Sequence, residues 1–270
     1  MPLEIIHPMT TGQRIQTPLL FIHGAWHGAW CWQPYFLPYF ADKGYNIYAM
    51  SLRGHGGSTP TGSVQFAGTD EYIADVIEVV DAIERETGRR PVVIGHSMGG
   101  YLVQKYLEQR RAPAAALLTT IPVSGLLRFN LRLLSLLTIA PQALLRMGLT
   151  LKTYPLLSTP ALAKHWFFSD DMPITEVEKW HARMQNESIR VDLEATFTHL
   201  PRPKAINPTA MLVLAAANDR VFPVSEERQT AEAYGAEFML LNDIAHDIML
   251  EARWGQAADA LHNWLSRQNL

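Results

Sequence analysis

Six short apolar runs constrain the fold of this chain more than any other feature. Residues 19–22 run up to Gly24, 47–50 to Arg53-Gly54, 92–94 to Gly95, 114–121 to Pro122, 211–215 to Asn218-Asp219, and 238–241 to Asn242-Asp243. None alternates with polar residues, as a strand with one wet face would. Each therefore suits a strand covered on both faces, as in a parallel sheet. Helical spacing lies between them. After Thr69-Asp70, the residues Ile73, Val76, Ile77, Val80 and Ile83 repeat on one face until Gly88. Ser225 opens a second candidate helix that Gly235 ends, and a third carries Met249, Ala252, Trp254, Ala258, Leu261 and Trp264. The alternation predicts an α/β fold with a doubly wound, mostly parallel sheet.

One stretch breaks the rhythm. Residues 125–200 carry no strand signal, and Pro141, Pro155, Pro160 and Pro173 divide them into helix-like pieces. The stretch is too long for a connecting loop. It is expected to be a helical insertion, with residues 1–124 and 201–270 forming the sheet-bearing body. Its composition is also distinct: residues 125–157 include thirteen leucines, and no acidic residue occurs between Glu108 and Asp170. Seven cations lie in that acid-free span (Arg110, Arg111, Arg128, Arg132, Arg146, Lys152 and Lys164), leaving 16 positive against 26 negative residues elsewhere.

The 270 residues are 48% hydrophobic, enough for a sizeable core. A net charge of −3 gives no reason to expect a nucleic-acid partner. The single cysteine, Cys31, excludes an internal disulfide framework and any multi-thiolate zinc site. Residues 1–8 have neither a basic start nor a long apolar run, and the richest apolar stretch, 131–140, falls short of the ~20 residues that cross a bilayer. A cytoplasmic monomer or small homo-oligomer is the expectation.

The chemistry concentrates in Gly95-His96-Ser97-Met98-Gly99-Gly100, between an apolar run and a helix-compatible segment. A serine at a sharp strand-to-helix turn needs small neighbours, which Gly95 and Gly99 supply. The turn would push the Ser97 hydroxyl out of the sheet edge, beside unpaired helix amides that favour developing negative charge. A nucleophilic serine needs a base and a group to orient that base. His246, in a polar turn between the last run and the last helix, is the expected base. Asp219 is the expected acid: it ends an apolar run, 122 residues after Ser97 and 27 before His246. Asp243 and Asp247 share the histidine's own turn and read as caps. His96 reads as structural, His23 and His55 as loop anchors, and His181, His199 and His262 as solvated or packed. Gly24 allows an amide to face the serine, so the backbone N–H groups of Ala25 and Met98 are the expected oxyanion donors. His23 and His27 lie four apart in a Gly-containing loop and not on a helix, so no metal site is expected. The chain carries neither a dinucleotide-binding glycine pattern nor a P-loop, and no cofactor is expected. Asn186-Glu187-Ser188 fits a glycosylation acceptor, a match read as coincidence.

Five local patterns occur in the order seen in one superfamily: His23-Gly24-Ala25-Trp26, Arg53-Gly54-His55-Gly56-Gly57-Ser58, Gly95-His96-Ser97-Met98-Gly99, Asn218-Asp219-Arg220-Val221-Phe222-Pro223 and Ala245-His246-Asp247. With them the chain resembles the α/β-hydrolase superfamily, in its esterase and lipase-like branch with a helical cap. The resemblance covers 19–121 and 203–265. It implies a Ser97-Asp219-His246 triad and places the cap, 125–200, after the sixth strand. Ser51 departs from the pattern, standing where related chains often carry an acid. Members that open epoxides or remove halides use an aspartate where this chain has Ser97, so those chemistries are not expected.

The expected function is hydrolysis of a small-molecule carboxylic ester, with an apolar or amphiphilic acyl group, through an acyl-Ser97 intermediate. Alternatives are carbon–carbon bond hydrolysis, lyase or perhydrolase chemistry, and a low-turnover binding protein. Trp26, Leu126, Leu127, Phe129, Leu133 and Leu137 are the expected pocket walls, with Leu134, Leu144 and Leu145 as further candidates. The surrounding cations could draw the cap to anionic amphiphiles or give it peripheral membrane contact. The rival reading is that the leucines only pack the cap onto the body.

Overall fold

A computed structural model describes residues 2–8, 15–59, 62–268 and 270. Seven strands form one sheet: β1 (Ile5–Ile6), β2 (Ile15–Ile22), β3 (Tyr45–Met50), β4 (Val92–His96), β5 (Ala114–Leu118), β6 (Ala210–Ala216) and β7 (Glu237–Leu241), in the order β1-β3-β2-β4-β5-β6-β7. All pairings are parallel except that of β1 with β3. Every residue of β3, β4 and β5 is buried, as their unbroken apolar sequences require. β7, on the sheet's edge, is half open.

Helices α1 (Phe36–Asp42), α2 (Thr69–Thr87) and α3 (Met98–Leu107) link the first strands. α2 shows how the sequence sets its ends. The Glu71 carboxylate accepts from the Gly68 N–H (2.7 Å), and Gly88 closes the helix in the left-handed region at φ 73. The chain runs from β2 outward to β3 and then returns past β2 to β4, so the strand order reverses between β2 and β4. Ligand crevices of open α/β sheets form at such a reversal, beyond the strands' carboxyl ends.

Between β5 and β6 the described residues contain no strand. α4 (Leu127–Arg132), α5 (Leu136–Ile139), α6 (Pro141–Thr150), α7 (Pro160–Phe167), α8 (Ile174–His181) and α9 (Ile189–Leu193) follow one another with short turns. The prolines start these helices and do not break them: Pro141 and Pro160 occupy the first turns of α6 and α7, and Pro173 caps α8. This helical stretch follows the fifth strand of the sheet, not the sixth. Among the described residues one strand, β1, pairs antiparallel, at the sheet's edge, and its two residues are too few to show a period. Specific contacts tie the stretch to the body. Arg132 donates to Glu226 (2.8 Å) and to the Val221 carbonyl (2.7 Å), Tyr72 to Glu187 (2.7 Å), and the Trp26 indole to Thr153 (2.9 Å). α10 (Val224–Tyr234) and α11 (Trp254–Arg267) complete the body. Among the described residues no helix is long and apolar enough to cross a membrane.

Candidate active site

β4 passes into α3 through Ser97, whose φ of 53° lies in the left-handed region that a side chain rarely adopts. The surrounding glycines make that turn possible. A Cβ on Gly95 would collide with the backbone of Gly99, and one on Gly99 with the backbone of Ile22. Ser97 is held through its main chain, donating to the Leu118 carbonyl (3.0 Å) and accepting from Tyr101 (3.1 Å) and Ile121 (3.2 Å).

Its hydroxyl meets His246. Ser97 Oγ and His246 Nε2 are 3.0 Å apart, and His246 Nδ1 lies 2.8 Å from Asp219 Oδ2. The carboxylate can only accept, so Nδ1 carries the proton and Nε2 is free to accept from the Ser97 hydroxyl. Asp219 is fixed in turn. Its Oδ1 accepts from the backbone N–H groups of Val221 (2.7 Å) and Phe222 (3.0 Å), and its side chain is fully buried. Phe167 stacks on the His246 ring and Phe222 meets it edge-on.

The backbone of His246 is gripped from behind. Its carbonyl accepts from Thr119 Oγ1 (2.9 Å) and from His96 Nε2 (3.0 Å). Burial, chiefly, pulls His96 down to about 3, so its ring is neutral and its Nε2–H serves as the donor. Thr119 adopts φ 40°, costly for a β-branched residue. Three of the five positive-φ non-glycine residues described, Trp26, Ser97 and Thr119, border this site.

The loop after β2 presents Ala25. His23 Nε2 accepts from the Leu52 N–H (3.0 Å), so its proton sits on Nδ1 and is donated to the Gly24 carbonyl (2.8 Å). That carbonyl belongs to the same peptide unit as the Ala25 N–H and points the opposite way, so gripping one end aims the other. His27 holds the next peptide, donating from Nδ1 to the Ala25 carbonyl (2.7 Å) and from Nε2 to Asp247 (3.1 Å). Burial pulls His27 down, but the charge and hydrogen bond of Asp247 outweigh it and raise its pKa above the ordinary value. His27 and Asp247 thus form a buried ion pair, and the reading of Asp247 as a turn cap is corrected. A contact 220 residues apart leaves no trace in local spacing. The N–H groups of Ala25 and Met98 form no hydrogen bond among the described residues, and both residues line the cavity that Ser97 opens into.

That cavity, about 50 Å³, is walled by Trp26, Ile121, Leu126, Phe129, Val221 and Phe222. Of the expected wall residues, Trp26, Leu126 and Phe129 are present. Leu133 is buried but lies outside the wall, and Leu127 and Leu137 face outward, 48% and 59% exposed. α4 turns Phe129 inward, so Leu127 and Leu131, two positions to either side, point to solvent. A sequence with leucine on both faces does not show which face is which. Leu134 and Leu145 are exposed as well, and Leu144 is half-buried.

The sequence reading missed the polar side of the cavity: Thr153, Glu187, Ser188 and Asp192. Glu187 is buried, 3.0 Å from His55 Nε2. Burial pushes its carboxyl up, but the His55 charge and donors from Ser188 and Tyr72 hold it below its ordinary range. Asn186-Glu187-Ser188 is therefore internal scaffolding, with Asn186 accepting from the amides of Thr153 and Tyr154. At Ser51, the acid missing from the pattern is replaced by Glu4, which accepts from the Ser51 hydroxyl (2.5 Å) and the Gly57 N–H (2.9 Å).

Ligand atoms of His96, His246 and Asp247 lie within 4.8 Å of one another. Both ring nitrogens of His246 are already engaged by Ser97 and Asp219, and Asp247 is paired with His27, so a cation there would have to break the hydrogen-bond chain described above.

Comparison with known proteins agrees with this architecture. The profile described as the alpha/beta hydrolase family matches residues 19–260. A non-heme chloroperoxidase of Burkholderia pyrrocinia is 33% identical over 114 residues, covering 42% of this chain and 39% of that protein. Methylesterase 2 of Arabidopsis thaliana is 27% identical over 81 residues, covering 30% of each chain. The matched stretches thus span well under half of these relatives' own length. A thermophilic esterase from Thermogutta terrifontis superposes with a TM-score of 0.74 at 16% identity, over 99% of this chain and 95% of its own, a likeness of fold.

Proposed function

From the premise that this chain belongs to the alpha/beta hydrolase family, we propose that it is a serine hydrolase of small carboxylic esters, with Ser97 as nucleophile, His246 as general base and acid, and Asp219 as orienting carboxylate. One observation carries the proposal: the unbroken chain of hydrogen bonds from Asp219 through His246 to Ser97 at 2.8 and 3.0 Å, with the serine opening into an apolar cavity. Ser97 Oγ attacks the ester carbonyl carbon while His246 Nε2 takes its proton. The carbonyl oxygen gains the negative charge, and the unpaired N–H groups of Ala25 and Met98 receive it. As the tetrahedral centre collapses, the carbon–oxygen bond to the leaving group breaks and His246 returns the proton to the departing alcohol. Water attacks the acyl-serine by the same steps, releasing the acid and restoring the hydroxyl.

The cavity's size narrows the substrate. At about 50 Å³ with apolar walls, it favours a short acyl chain. Turnover of p-nitrophenyl esters should therefore be highest for acetate to butyrate. Ser97→Ala should lower kcat by about 10⁶-fold, by analogy with deletions of such nucleophiles elsewhere. A Ser97→Ala protein with near-normal turnover would refute the assignment.

The similarity to a chloroperoxidase favours one second reading, in which peroxide replaces water as acceptor. The acyl-serine would then yield a peracid, its acyl–oxygen bond to Ser97 exchanged for one to peroxide. Halide oxidation that requires both a short carboxylic acid and hydrogen peroxide, and disappears in Ser97→Ala, would establish it.

A further inference from the structure

Helix α4 walls the cavity through Phe129, and its outer side and that of α6 carry exposed leucines. Along α4 and the turn after it, Phe129 and Leu133 are buried, while Leu127, Leu131 and Leu134, spaced four and three residues apart, point outward. On α6, Ala143 faces in and Leu145 and Leu149, again four apart, face out. These five outward leucines are 48–76% exposed. All five fall within residues 127–149, a concentration of exposed leucine that suits a surface with a partner.

The charge on the patch selects the partner. Arg128, Arg146 and Lys152 are exposed among these leucines, and the sequence holds no acid from 109 to 169. The nearest acidic group to Arg128 is Glu226, at 4.0 Å. A two-fold pairing of this surface with a second copy would set cations against cations. Leucine interleaved with Arg and Lys, and no acid, instead complements anionic headgroups above acyl chains. We propose that the outer face of α4–α6 is a docking surface for an anionic lipid bilayer, lying in its interface and not spanning it. The surface is separate from Ser97 and does not depend on its chemistry.

Co-sedimentation of the full chain with vesicles tests this directly, using phosphatidylcholine alone and phosphatidylcholine with about one third phosphatidylglycerol. The chain should bind the anionic vesicles at least tenfold more strongly. Raising salt from about 0.1 M to about 0.5 M should abolish most of the difference. Leu131→Glu with Leu134→Glu, and separately Arg146→Glu with Lys152→Glu, should each lower binding tenfold or more. Neither pair lines the cavity, so both variants should hydrolyse a soluble ester as the parent does, which also reports their folding. Ser97→Ala should bind as the parent does. Equal binding to both vesicle types, binding to neither, or unchanged binding by both double variants would overturn the proposal. So would a dimer that Leu131→Glu with Leu134→Glu splits into monomers.

Discussion

Thr119 spends backbone strain at φ 40° to place its hydroxyl on the His246 carbonyl, and the role of that contact can be measured. Thr119→Val keeps the shape and removes the donor, leaving His96 as the carbonyl's remaining partner. A lost hydrogen bond of this kind costs about 1 kcal/mol. The expected result is a kcat several-fold lower with KM unchanged; a changed KM with normal kcat would contradict it. Asp219→Asn should be far more severe, lowering kcat about 10⁴-fold in an intact fold, because an amide that donates to Nδ1 reverses the imidazole tautomer. At this scale the sequence was legible where chemistry is local. Ser97 announces itself through its glycines, and Asp219 and His246 each end a strand-to-helix passage. Thr119, the His27–Asp247 pair and the Glu4–Ser51 contact were not legible, since each depends on where the fold brings distant segments together.

At the scale of elements, β2 to β7 read clearly from unbroken apolar runs, whereas the two-residue β1 and the helices between β5 and β6 did not. Leucine on both faces of α4 left its orientation to tertiary contacts that periodicity does not encode. Paired substitutions test the orientation. Phe129→Ala should destabilise the protein by about 3–5 kcal/mol and shift ester preference toward longer acyl chains, because it enlarges the cavity. Leu131→Ala, on the outward face, should change stability by less than about 0.5 kcal/mol and leave the acyl-length profile alone. Thermal melts and an ester series decide between them, and equal effects from the two would contradict this orientation of α4.

Across the whole molecule, the cluster of buried histidines behind the site links stability to pH. Burial pulls His23 and His96 down to about 3, far below their unfolded value of 6.5. Between those limits the unfolded chain takes up protons that the folded chain refuses, so stability falls as pH falls. Each group adds about 1.4 kcal/mol per pH unit to that slope. Measured by urea unfolding between pH 6 and pH 4, His96→Asn should remove about that much of the fall in stability per pH unit relative to the parent; an unchanged slope would show that His96 is not the refusing group. Ester hydrolysis at this site rests on a single chemical claim, that the Ser97 hydroxyl is the nucleophile and becomes acylated. Intact-mass and peptide mapping after treatment with a fluorophosphonate tests it most directly. One adduct, on the peptide bearing Ser97 and absent from Ser97→Ala, is the predicted result; an adduct on another residue, or none while ester turnover persists, would contradict it.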